Sequence, residues 1–78
     1  MKLIDTLKEI VASSGLPKAH IAKKAGKSKV FVNDTFRTTN PTANNVAALL
    51  DACGYNLCLV KPDEAPASAI RITVDDCR

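Results

Sequence analysis

KAHIAKKAGKSKVFVNDTFR, residues 18–37, holds the strongest fold signal in the chain. Ile21, Ala22 and Ala25 form one apolar stripe of a short helix over 17–25, with Pro17 where a first helical turn tolerates proline. Gly26 then supplies the left-handed backbone that a sharp turn needs. Ser28 is a good N-cap for a further helix over 28–36. In that helix Val32 and Phe36 lie four apart on one face, while Lys29, Asn33 and Arg37 lie four apart on another. The spacing predicts a core face and a face for a partner. A small Ala22 lets the two helices cross closely, so Ala22, Gly26 and Val32 make an A-x3-G-x5-V pattern.

Charge falls on the same stretch. Residues 18–37 carry six basic side chains against one acid, Asp34, and so hold more positive charge than the +3 of the whole chain. The segments on either side are neutral or slightly acidic. A solvated lysine face is the plain reading of such a block, and its place on two short helices points instead to a polyanion.

Outward from this centre, Leu3, Leu7, Ile10 and Val11 recur at helical spacing and predict a helix over 3–14 ending near Gly15. Asn40 as cap and Pro41 at the first helical position start a helix over 41–53, striped by Val46, Leu49, Leu50 and Cys53 and closed by Gly54. Beyond Gly54 the period changes to two. Tyr55, Leu57 and Leu59 alternate with Asn56, Cys58 and Val60, and Ile70, Ile72 and Val74 alternate with Arg71, Thr73 and Asp75, predicting strands near 55–60 and 70–74. KPDEAPAS, 61–68, reads as the loop between them. The expected organisation is a domain at 1–60 and a C-terminal loop and short strand at 61–78, serving dimerisation or a partner.

Several function classes are excluded or disfavoured. A chain of 78 residues makes one domain and buries only about 60% of its unfolded surface, so dimerisation is the readiest source of extra stability. Cys53, Cys58 and Cys77 form no CxxC pair, and with a single His they make no convincing tetrahedral metal site, so no metal or cofactor is expected and the thiols read as reduced in a cytoplasm. Asp5 and Glu9 interrupt the N-terminal apolar pattern, which excludes a signal peptide or membrane span there. Asp63, Glu64, Asp75 and Asp76 have no partnering His or glycine-rich phosphate cradle, so an enzyme is not expected. His20 on the outer side of its helix reads as solvated or touching a phosphate, Phe31 as packing under its helix in preference to touching a base, and Tyr55 as an anchor for a strand.

IAKKAGKSKVFVNDTFR resembles the two central helices of the phage repressor and Cro class of helix-turn-helix proteins, the XRE family, and NPTANNVAALLDACGYNLCLV resembles the loop, helix and short strand that follow in antitoxin-type members. Lys27, Thr35 and Pro17 depart from that family's usual apolar turn residue, aliphatic core residue and Ser or Thr cap. The resemblance covers roughly residues 3–60. It implies an all-α, four-helix, lambda-repressor-like fold with a short C-terminal β element, no catalysis, and double-stranded DNA bound by a homodimer as a transcription regulator. The positions matching the family's base-reading sites are Ser28, Lys29, Val30 and Asn33, with Lys18, Lys27 and Arg37 on phosphates. The chemistry suits each role: Lys29 donates to guanine O6 and N7, Asn33 pairs with adenine N6 and N7, and Val30 meets a thymine methyl. Lys23 and Lys24 are expected to face water. In the antitoxin-type subgroup the strand after the last helix pairs with its dimer mate, which assigns Tyr55, Leu57 and Leu59 to dimerisation. Such an edge can also accept a toxin's strand. The competing reading, a module that uses the same helices to bind a protein, has no need of the basic block.

Overall fold

The computed structural model describes residues 2–77, and these form four helices: α1, Leu3–Ser14; α2, Lys18–Lys24; α3, Phe31–Arg37; and α4, Ala43–Ala52. Single 3-10 turns follow at Pro62–Glu64 and Asp75–Cys77. No strand occurs among the described residues.

One core joins the four helices. Leu7, Ile10 and Val11 from α1, Ile21 and Ala22 from α2, Phe31 and Val32 from α3, and Val46, Leu49, Leu50 and Ala52 from α4 are all buried. Leu7, Ile21, Val32 and Leu49 are the largest side chains with no water contact, one from each helix, so every helix is held by the same apolar cluster. Ala22 is fully buried, in keeping with the small side chain expected where α2 crosses its neighbours.

The link from α2 to α3 is built from backbone hydrogen bonds. Gly26, at φ 72°, donates its N–H to Lys23 at 3.1 Å, and Lys27 donates to Ala22 at 2.9 Å. This pair of bonds satisfies two carbonyls that the end of α2 would otherwise leave open. Gly54, at φ 89°, closes α4 in the same way: its N–H reaches Asp51 and that of Tyr55 reaches Leu50 at 2.8 Å.

Three expected helix starts shift inward. Pro17 stands just outside α2 with extended backbone, and its carbonyl accepts the N–H of Ile21. α3 begins at Phe31 rather than Ser28: the Ser28 carbonyl accepts from Phe31 in a separate turn, and no side chain caps the helix. That extra turn brings the chain round from the Gly26 ending so that Phe31 and Val32 both enter the core. α4 is capped by Thr42, whose Oγ1 accepts the Asn45 N–H at 3.2 Å, rather than by Asn40 with Pro41 in the first turn.

The expected strands at 55–60 and 70–74 are corrected to irregular chain. A ladder needs a second strand to receive its N–H and C=O groups, and neither segment has one among the described residues. Their side chains stay outside, with Leu57 50% and Leu59 99% exposed. Residues 61–77 are held by local bonds: Arg71 donates to the Pro62 carbonyl at 3.2 Å, and the Thr73 N–H donates to Asp76 Oδ2 at 2.9 Å. The latter bond holds the Asp76 carboxyl below its ordinary pKa.

Candidate nucleic-acid interface

α3 is only seven residues long, and its composition divides it sharply. Phe31, Val32 and Thr35 are buried and Phe36 is half-buried, so at 100° per residue the opposite face is left to Asn33, Asp34 and Arg37, all exposed. Val30, just before the helix, continues that face at 48% exposure. Thr35 occupies a core position despite its hydroxyl because Oγ1 donates to the Phe31 carbonyl one turn back, at 2.8 Å. Phe31 packs inward as expected.

The sequence-derived site residues do not form a single row. Ser28, Lys29 and Val30 belong to the turn before α3, so Lys29 does not continue the helical Asn33–Arg37 face, although all three are exposed. Lys27 and Ser28 open onto a cleft of about 360 Å³ between α3 and the start of α4, shared with Asp34, Thr38, Thr42 and Asn45. The Lys27 ammonium stands 5.9 Å from the centroid of the Phe31 ring, so the unusual lysine after the turn glycine is placed against an aromatic face.

On the other flank of α3, Lys18 Nζ donates to Asn33 Oδ1 at 3.0 Å, joining residues 15 apart in sequence. The same ammonium lies 5.7 Å from the centroid of the Phe36 ring, which Lys8 also approaches at 5.9 Å. Lys18 therefore stands beside a base-reading candidate rather than apart from it. Its position as the first residue of α2 is the unfavourable end of a helix dipole for a cation. Lys23 and Lys24 occupy the last turn of α2, where the dipole favours them, and both are exposed.

Two participants were not assigned from sequence. Asp34 lies on the exposed face and pairs with Arg37 at 3.7 Å, one turn along; both are largely exposed, so the pair adds little stability. Phe36, read only as a core residue, is also the ring beneath Lys18. The i, i+3 spacing could have signalled the first, whereas the second depends on how α1, α2 and α3 meet. Tyr55, Leu57 and Leu59 lie outside the helical body with exposed side chains and are not brought near α3 by any described contact. Among the described residues no group of His, Cys, Asp or Glu could hold a metal ion, and no helix is long and apolar enough to cross a membrane.

Compared with known proteins, the chain matches no family model, no curated protein and no solved structure.

Proposed function

We propose that this chain is a non-enzymatic, sequence-specific DNA-binding protein of the helix-turn-helix type, acting as a repressor-like transcription regulator in the cytoplasm. α2 braces α3, which enters the major groove with the turn that precedes it. The observation that carries the reading is the exposed side of the α2–turn–α3 unit, which presents Lys18, Lys27, Lys29 and Arg37, with Lys18 Nζ 3.0 Å from Asn33 Oδ1. Basic groups that release counterions from phosphates supply affinity, and short polar side chains on a rigid helix supply base readout.

In this reading Ser28, Lys29, Val30 and Asn33 face base edges, while Lys27 and Arg37 reach phosphates. Phosphate oxygens compete readily for Arg37, because its bond to Asp34 is exposed and long. The exposed apolar side chains of Tyr55, Leu57 and Leu59 support a homodimer formed through 55–60, a segment without any charged residue to repel its copy. Such a dimer would present two copies of α3 about 34 Å apart to an inverted repeat. The antitoxin of a toxin–antitoxin pair is the variant of this function in which the same arm also holds a toxin.

Selection of bound sites from a random duplex pool, at near-physiological salt, tests the proposal. Enrichment of an inverted repeat, with one position per half-site degraded for Asn33→Ala, is the expected result. A pool that stays random turns the reading to a protein-interaction module.

A further inference from the structure

We infer that Lys18 and Asn33 act as one composite reader whose preferred base is guanine, not the adenine that an isolated asparagine would select. This rests on the DNA-binding reading above and concerns the specificity of the same face. Three observations lead to it. Lys18 Nζ lies 3.0 Å from Asn33 Oδ1. The ammonium is held on a second side by the Phe36 ring, 5.7 Å from its centroid. Both side chains are exposed.

The chemistry follows from donor and acceptor counts. A lysine ammonium has only donors, so the asparagine amide must turn its oxygen toward it, which settles the orientation of the amide group. One oxygen lone pair is then engaged by Lys18, and the Nδ2 donors project away from it. Seen by an incoming base, the pair offers Nδ2–H from Asn33 and the remaining N–H groups of Lys18 side by side. Adenine presents one acceptor, N7, beside a donor, N6, and that donor would be set against an ammonium. Guanine presents two adjacent acceptors, N7 and O6, and meets donors at both. A free asparagine, by contrast, offers one donor and one acceptor and suits adenine.

Lys18 is thus a specificity-determining residue that acts through the asparagine it orients and through its own donors. Its place on a different helix explains why the asparagine's neighbours on α3 do not suffice to forecast the base.

The test is the same duplex selection run with wild type, Lys18→Met and Asn33→Ala, each first checked for unchanged helical circular dichroism. Methionine keeps a long stem over the Phe36 ring and removes every donor. Guanine is expected at the position that Asn33→Ala randomises. Lys18→Met is expected to turn the preference there toward adenine, by roughly 5- to 150-fold in relative affinity, the range of one good base contact. Two results overturn the inference while leaving DNA reading intact: adenine selected by the wild type at that position, or a Lys18→Met variant that binds all sites more weakly with an unchanged preference and a shallower salt dependence. The second marks Lys18 as a phosphate contact. A random pool with the wild type removes DNA reading and this inference together.

Discussion

The helical body, residues 3–54, and the arm, residues 55–77, both contain regularly spaced apolar side chains, yet they end in opposite environments. In the body the core residues are at most 7% exposed; in the arm Tyr55, Leu57, Leu59, Val60, Ile70, Ile72 and Val74 range from 38% to 99%. A helix satisfies its own backbone and needs a neighbour only for its apolar stripe, which the other three helices supply. An alternating segment needs a neighbour for its backbone as well. Periodicity of 3.6 can therefore be completed within a chain of this length, whereas the alternating segments find no strand partner among the described residues.

The largest difference between the regions should appear on truncating leucines. Leu49→Ala, at a fully buried site, is expected to cost about 2–5 kcal/mol and to leave little folded protein. Leu59→Ala should change the stability of the monomer by no more than about 0.5 kcal/mol. Urea unfolding at several protein concentrations checks both, since any loss confined to the dimer scales with concentration. Equal losses in dilute protein would show that the arm is packed after all.

A charge placed in the arm sharpens the contrast. If the proposed homodimer forms through 55–60, Leu57→Asp converts it to monomer in sedimentation velocity while the helical circular dichroism of the body stays unchanged. A variant that remains dimeric would move the seam away from 55–60.

Gly26→Ala probes the body without touching its core. Nothing lies within 4 Å of the Cβ it would add, so the cost is that of left-handed backbone alone, about 1–2 kcal/mol in thermal or urea unfolding.

The smallest effect concerns thiols. Burial pushes the Cys53 thiol up, against weaker lowering by Ser14 and Lys24. Its protonated form is thus favoured by the fold. The resulting contribution is constant at neutral pH and is lost as pH rises from the ordinary thiol range through the raised folded value. Cys53 should be alkylated more slowly than Cys58 and Cys77, which are exposed. Protection of Cys58 alone at high protein concentration would locate the dimer seam, and equal rates for all three would contradict the packing of α4's end.

The four helices were legible because each carries an apolar stripe, and three of them a glycine stop at Gly15, Gly26 or Gly54. Their starts were less so: Ser28 and Asn40 have good capping chemistry, but the approach of Phe31 to the core and the Thr42 cap set the starts at Phe31 and Ala43. The concentration of basic residues was legible in the sequence, and Lys18, Lys27, Lys29 and Arg37 are all exposed, but the turn before α3 keeps Lys29 off the Asn33–Arg37 face that spacing alone had drawn. Asp34 was passed over although its i, i+3 relation to Arg37 is local. The expected strands at 55–60 and 70–74 were read from a true alternation, but alternation alone does not supply a neighbour for the backbone, and both segments are irregular.

Sequence by itself determined the helical class, the glycine endings and the concentration of positive charge on the α2–α3 segment, because each rests on contacts within a few residues. Tertiary structure alone decided that Lys18 stands on Asn33 over Phe36, that Thr35 fits a core by bonding to Phe31, and that the apolar arm stays outside. The first and last of these depend on which residues, far apart in the chain, meet or fail to meet. A local pattern carries no record of that, because the outcome is set by how four helices share one small core.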